Sequence, residues 1–231
     1  MTKTKTKKPA KAQSKAAQNE EKTLVAFLLD RTGSMASVKQ ETIGGFNGYL
    51  DELAKKPETR GVTFHFTQFD SIAVEVINDC VPLAQVKKLT DETFVPRANT
   101  PLYDAIGKTI RAIEAKAKGY KVLFVTLTDG EENASSEWNQ TTIKALIKEK
   151  ETNDKWTFSY IGVGIDAWAA NQRLAAGTIG ASNVLRSTGK NTGKAFQHMA
   201  QATMMRCLIS SDSSLQDVYH GAQLDKDDAK D

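Results

Sequence analysis

Leu24-Val-Ala-Phe-Leu-Leu29, followed without a break by Asp30-Arg-Thr-Gly-Ser34, is the stretch on which the reading of this chain turns. Six apolar residues in a row are far short of the ~20 that a membrane helix needs. A short continuous apolar run is what a strand buried on both faces requires. The residues after it form a small, polar loop in which Gly33 supplies backbone freedom for a tight turn. The period then changes. From Met35 to Lys56, Ile43, Phe46, Leu50 and Leu53 fall on one helical stripe. Gly44, Gly45 and Gly48 weaken that helix by up to about 1 kcal/mol each relative to alanine; a close approach to the sheet is the expected reason.

Working outward, the alternation continues. Val62–Phe69 reads as a strand, and Ala73–Val81 as its antiparallel hairpin partner at the sheet edge. Pro101–Lys118 reads as a helix with Leu102, Ala105, Ile106, Ile110 and Ile113 along one face, and Lys121–Leu127 as a second buried strand. Ser136–Glu151 is an expected helix, Trp156–Val163 a strand and Ala167–Ala176 a short helix. Asn183–Arg186 and Thr192–Leu208 are an expected last strand and closing helix. Strands alternating with helices define an α/β class: a doubly wound, Rossmann-like, mostly parallel sheet with one antiparallel edge strand and helices on both faces.

In such sheets ligands bind beyond the carboxyl ends of the strands, where the strand order reverses. The residues at those ends are Asp30-Arg-Thr32-Gly-Ser34 after the first strand and Thr128-Asp129-Gly130-Glu131 after the strand at 121–127. Asn99-Thr100-Pro101 stands before the second helix. Three loops therefore bring carboxylates and hydroxyls to one rim, with no histidine or cysteine among them. Hard oxygen donors of this kind suit Mg²⁺, Mn²⁺ or Ca²⁺ and suit structural zinc poorly. Asp30, Thr32 and Ser34 alternate, so their side chains can face one point across the turn. Ser34 also falls at a helix start, where its hydroxyl can cap backbone N–H groups. Protein oxygens at Asp30, Thr32, Ser34, Thr100 and Asp129 would leave coordination positions to water. A partner's Asp or Glu can replace such a water.

The pattern Asp30-x-Thr32-x-Ser34 with Thr100 and Asp129 in separate loops resembles the metal-ion-dependent adhesion site of von Willebrand factor type A (vWA) domains. The usual pattern has Ser where this chain has Thr32, which keeps the hydroxyl. Ile43-Gly-Gly-Phe-Asn47, Asn99-Thr-Pro-Leu-Tyr-Asp-Ala-Ile-Gly107 and Thr128-Asp-Gly-Glu-Glu-Asn-Ala134 extend the likeness toward a bacterial or phage intracellular branch. It spans roughly Leu24–Leu208. The resemblance implies direct metal contact by Ser34, Thr100 and Thr32, with the aspartates acting through water. It also implies a binding protein rather than an enzyme, one that captures a protein partner through a Mg²⁺-type ion.

Each piece has a plainer reading. Asp129-Gly130 is an ordinary turn signal, and Thr100-Pro101 is what a helix start looks like. Together, in this order and each at the end of an expected element, they read as a metal site. Other motifs fall short: Gly189-Lys-Asn-Thr-Gly193-Lys194-Ala195 has the wrong spacing for a phosphate loop and lacks its hydroxyl, and Gly162-Val-Gly164 lacks the rest of a dinucleotide fingerprint. A haloacid-dehalogenase-like phosphatase would need a second acid where Thr32 stands. A metal-dependent hydrolase or phosphatase stays open as an alternative, although the motif loops carry no obvious base or nucleophile. His65, His198 and His220, and Trp138, Trp156 and Trp168, read as packing or surface residues; Asp70 and Asp166 read as turn caps. Glu131 and Glu132 flank the site, either shaping its field or simply solvated.

Composition agrees with a soluble globular protein: 231 residues, 40% hydrophobic and 26% charged, with a formal net charge of +3. Charge is uneven along the chain. Residues 1–22, with only positive charge from Lys3 to Lys15, and residues 211–231, mainly acidic, are expected to be tails around a domain at 23–210. The basic arm is the one route to nucleic acid, as an accessory protein, and a solubilising role is the plainer alternative. Cys80 and Cys207 show no metal-ligand spacing; two buried thiols in a reducing compartment are expected, one disulfide being the alternative. No apolar segment marks a secretory signal or a membrane span, so the expected location is the cytoplasm.

Overall fold

Alternate residues of β1 (Lys22–Asp30) feed two separate cores. Val25, Phe27 and Leu29 pack with Phe46, Leu50, Phe196 and Met199, whereas Leu24, Ala26 and Leu28 pack with Ile106, Ile110 and Ile147. A strand buried on both faces has no reason to alternate in polarity, which explains the unbroken apolar run. The computed structural model describes residues 22–153, 156–176, 184–188 and 191–208. Lys22 opens β1; the rest of the expected tails lies outside the described residues.

The sheet adds β2 (Thr63–Phe69), β3 (Val74–Pro82), β4 (Tyr120–Thr128), β5 (Thr157–Val163) and β6 (Val184–Ser187), in the order β3-β2-β1-β4-β5-β6. All neighbours are parallel except the β2–β3 hairpin at the edge. Helices α1 (Lys39–Ala54) and α5 (Thr192–Leu208) cover one face. The other is covered by α2 (Leu102–Ile113), α3 (Gln140–Asn153) and α4 (Ile165–Ala175). This is the doubly wound, mostly parallel α/β sheet that the sequence predicts. None of the described helices is long and apolar enough to cross a membrane.

The largest differences from the sequence reading are at two helix starts, and both have local causes. The helix expected from Met35 begins as a 3-10 segment, Gly33–Val38, and becomes α-helical at Lys39 after Val38 leaves helical geometry (φ −126°, ψ 21°). The helix expected from Ser136 begins at Gln140, because carboxylates take the preceding backbone N–H groups. Glu132 accepts from Ala134 and Ser135, and Asp104 from Ser136, Glu137 and Trp138.

Of the α1 glycines, only Gly45 has a close neighbour, and it is not the one expected. A Cβ on Gly45 would lie 2.2 Å from Phe196 Cδ2, so the close approach is to α5 and not to the sheet. A Cβ on Gly44 would meet nothing within 4 Å. Opposite outcomes follow for the same substitution one residue apart. Gly44→Ala should stabilise by about 0.5–1 kcal/mol through helix propensity, and Gly45→Ala should destabilise by about 1–3 kcal/mol through overpacking. Urea unfolding midpoints at unchanged slope measure both. Shifts of the same sign would contradict the α1–α5 contact described.

Candidate metal centre

The strand order reverses at β1, which has β2 on one side and β4 on the other. Register sets what meets there. Leu29 pairs with Leu127, so Asp30 and Thr128 stand level at the carboxyl ends of neighbouring strands. Thr128 Oγ1 donates to Asp30 Oδ2 at 2.5 Å, and the Thr32 N–H donates to Asp30 Oδ1 at 2.7 Å. Asp30 is wholly buried. Burial pushes its carboxyl up from the ordinary 3.8 to about 7 despite those hydrogen bonds, and the nearby Asp129 pushes the same way. Burial raises Asp129 as well.

The five residues singled out by sequence gather at this point. Ser34 Oγ donates to Asp129 Oδ1 at 2.8 Å, Thr32 Oγ1 lies 3.4 Å from Ser34 Oγ, and Thr100 Oγ1 donates to Thr32 Oγ1 at 3.2 Å. Neither the Ser34 nor the Thr100 hydroxyl caps the helix start it stands at; both turn toward the other loops instead. The first N–H groups of α2, at Tyr103 and Asp104, are taken by Glu132 and Ser135. Thr32 and Thr100 are buried, while Ser34 is exposed and Asp129 half-buried, so the cluster has an open mouth on that side. Gly130 helps to keep it open: a Cβ there would sit 3.5 Å from Thr100 Oγ1 and 3.7 Å from Ser34 Oγ.

These spacings fit a small hard cation. Octahedral Mg²⁺ with oxygen bonds of about 2.0–2.1 Å sets adjacent donors about 2.9 Å apart. The separations of 2.8, 3.2 and 3.4 Å bracket that value with little movement needed. All the donors are oxygens, two carboxylates among them, and this is a donor set for Mg²⁺, Mn²⁺ or Ca²⁺.

What positions the loops is less visible in the sequence. Backbone bonds run from Gly33 N to Ala98 O, Arg97 N to Arg31 O, Ser71 N to Asn99 O and Asn133 N to Thr100 O. Below them, buried Asp70 accepts from Arg31 Nε at 2.9 Å and Arg97 Nε at 2.8 Å while capping the N–H groups of Ile72 and Ala73. Turn capping is what the sequence predicts for Asp70; the arginine pair is additional. Arg31 also reaches Glu75 at 2.7 Å. The loop leading to Thr100 passes through Ala98 at φ 60°, a left-handed conformation costly for alanine. Only the polar residue at a strand's end could have flagged Thr128; nothing local marks Arg97 or Ala98.

Of the flanking acids, Glu131 pairs with Arg173 at 2.5 Å, and Glu132 accepts from the N–H of Tyr103, Ala134 and Ser135. Trp138 packs against Gly107, and Trp156 is buried. The side chains of Asp166 and Trp168, and His220, lie outside what the structure describes. Cys80 and Cys207 are free and only half-buried.

The fold is that of a vWA domain. The vWF domain of the type V pili tip protein Mfa5 from Porphyromonas gingivalis superposes with a TM-score of 0.60 at 13% identity, over 79% of this chain and 95% of that one. A von Willebrand factor type A protein from Catenulispora acidiphila gives 0.57 at 15%, over 80% of this chain and 43% of that one. A manganese-loaded TRAP protein of Plasmodium vivax gives 0.52 at 12%, over 76% and 72%. The chain thus spans less than half of the Catenulispora protein. No protein-family model matches the chain, and no curated protein sequence does.

Proposed function

We propose that this chain is a binding module that holds a divalent cation of the Mg²⁺ type among Asp30, Thr32, Ser34, Thr100 and Asp129. It uses the cation to capture an Asp or Glu of a protein partner. One observation carries the reading: hydroxyls that ordinarily cap helix starts instead converge, from two loops, beside the Asp129 carboxylate of a third. Asp30 has both oxygens engaged by Thr32 and Thr128. With a cation bound it would act as a negative charge behind the hydroxyls, with water between it and the ion. Neutral hydroxyls leave positive charge on the ion, which, once bound, supplies an electrophilic point for an incoming carboxylate. Exposed Ser34 marks the side of approach.

The same reading makes the protein a binder and not an enzyme, since these loops supply no histidine or cysteine to serve as base or nucleophile. Mg²⁺ is the ion of choice, with Mn²⁺ or Ca²⁺ as substitutes. Two free cysteines support a reducing compartment such as the cytoplasm, and the resemblance of the motif loops supports an intracellular bacterial or phage type. The manganese in the Plasmodium vivax protein's printed description is consistent with this class of ion.

Mn²⁺ titration followed by electron paramagnetic resonance tests the site. Wild type should bind one equivalent at the rim. Asp129→Ala should lose at least about 100-fold in affinity, beyond the 10–100-fold typical of an outer-shell partner, and still unfold cooperatively. At 100 times the wild-type Kd the metal should stabilise wild type by about 2.7 kcal/mol and Asp129→Ala by no more than about 0.4 kcal/mol. Unchanged stoichiometric binding by Asp129→Ala would overturn the assignment.

A further inference from the structure

Away from the rim, the β2–β3 hairpin carries a second group of donors. Phe64 pairs with Val81 and Phe66 with Asn78, so the two residues Asp79 and Cys80 stand opposite the single residue His65. This is a β-bulge, with Cys80 in left-handed geometry at φ 52°. In a regular strand, consecutive side chains point to opposite faces; here both reach one imidazole. Asp79 Oδ1 lies 3.3 Å and Cys80 Sγ 3.8 Å from His65 Nδ1, and one donor atom from each of the three residues fits within 4.8 Å. The ring is held from its other side, where Nε2 lies 3.1 Å from Thr67 Oγ1. His65 is buried, whereas Asp79 is exposed to solvent and to an incoming ion.

We infer that His65, Asp79 and Cys80 form a second cation site, one for a borderline-soft ion of the Zn²⁺ type and chemically distinct from the oxygen rim. Nitrogen, sulfur and one carboxylate oxygen are zinc's usual donors. Tetrahedral Zn²⁺ with bonds of about 2.0–2.1 Å to nitrogen and oxygen and about 2.3 Å to sulfur sets N···O about 3.3 Å and N···S about 3.6 Å apart. The structure holds those pairs at 3.3 and 3.8 Å. Three protein donors leave the fourth position to water on the Asp79 side. Thr67 plays the part that a neighbour of a metal-bound histidine usually plays, fixing which ring nitrogen faces the ion. Lys116 Nζ sits 2.6 Å from both Asp79 oxygens and is the ion's competitor; being half-exposed, it can swing into solvent. His65 precedes Phe69 by four residues, which places the site about 13 Å below the rim along the strand.

Cobalt titration of the full chain in excess Mg²⁺ tests this, because a thiolate-to-cobalt charge-transfer band reports sulfur ligation and the rim contains no sulfur. One equivalent of Co²⁺ should produce the band in wild type, in Asp30→Ala and in Cys207→Ser. Cys80→Ser should abolish it, with circular dichroism confirming the fold. Asp79→Asn, a change at an exposed side chain, should weaken cobalt binding at least about tenfold. Thr67→Val should weaken it about 10–100-fold, and Lys116→Ala should strengthen it. No thiolate band at saturating cobalt, a band that persists in Cys80→Ser, or equal affinity in wild type and Asp79→Asn would overturn the proposal and leave a simple ion-paired edge. None of these outcomes depends on the rim site.

Discussion

Thr100→Ala is expected to abolish Mg²⁺-dependent capture of the protein partner, by at least about 100-fold, or about 2.8 kcal/mol at 1.4 kcal/mol per decade. Thr100 Oγ1 reaches across to Thr32 from a loop whose backbone is tied to both other loops, so its hydroxyl is held in the cluster at no cost to the helix start behind it. Removing the hydroxyl deletes an oxygen donor while leaving the backbone bonds at Ala98, Asn99 and Thr100 in place. Glu131→Gln, by contrast, breaks only the exposed pair with Arg173 and changes the field modestly. Affinity capture with wild type, Thr100→Ala and Glu131→Gln, each with Mg²⁺ or EDTA, separates these effects. Once a partner is in hand, its essential Asp or Glu is replaced by the amide and paired with Thr100→Ala in a double-mutant cycle. Both changes break one coordination link, so together they should cost little more than either alone. Additive losses, or capture indifferent to EDTA, would rule out coordination and leave an ordinary protein surface.

Asp70→Ala is expected to destabilise the domain by about 3–5 kcal/mol, the range for removing one partner of a buried ion pair. Asp70 is fully buried and holds Arg31, itself nearly buried, together with Arg97 and two backbone N–H groups. Deleting the carboxylate strands the Arg31 charge with only its exposed partner Glu75. Urea unfolding measures the cost, and a loss under about 1 kcal/mol would show that the clamp relaxes into solvent.

Acid gives a second reading of the same clamp. Burial by itself would raise the Asp70 carboxyl, but hydrogen bonds from Arg97, from the N–H groups of Ala73 and Ile72 and from Arg31 outweigh it. They hold the carboxyl below its ordinary 3.8. A folded value below the unfolded one means stabilisation that is full above about pH 4 and is lost as pH falls through the lower folded value. Asp70→Asn should therefore narrow its stability gap from wild type as the medium is acidified below pH 4. A constant gap down to strong acid would contradict this.

Much of the molecule was legible before any coordinates. The Leu24–Leu29 run and the apolar stretch at 121–127 suit strands covered on both sides, 156–163 reads as a further strand, and the helical stripes between them supply the cover. Ala73–Val81 reads as the hairpin partner of Val62–Phe69 at the sheet edge, and the strand observed there is Val74–Pro82. The five rim residues could be found because each follows a strand or precedes a helix, and topology brings those ends together. The atoms those five bring could also be read: hydroxyl and carboxylate oxygens, with no histidine or cysteine among the motif loops.

The other features depended on register and distance. Asp30 and Thr128 meet across 98 residues, Ser34 and Asp129 across 95, and Arg31 and Asp70 across 39. Gly45 is intelligible only once Phe196 is seen above it. Nothing around Ala98 announces a positive φ, because alanine is indifferent to its neighbours until a loop is pulled tight from both ends. His65, Asp79 and Cys80 look like a packed histidine and an unpaired thiol until one extra residue in β3 turns two consecutive side chains to the same imidazole. What the sequence by itself determined was period, burial and the chemistry of each loop, since these are set by a few neighbouring residues. Pairing across the sheet, the second donor cluster and the Asp70 clamp were decided only by tertiary structure. A single-residue change in register leaves local preferences almost untouched yet turns a strand's side chains to the other face.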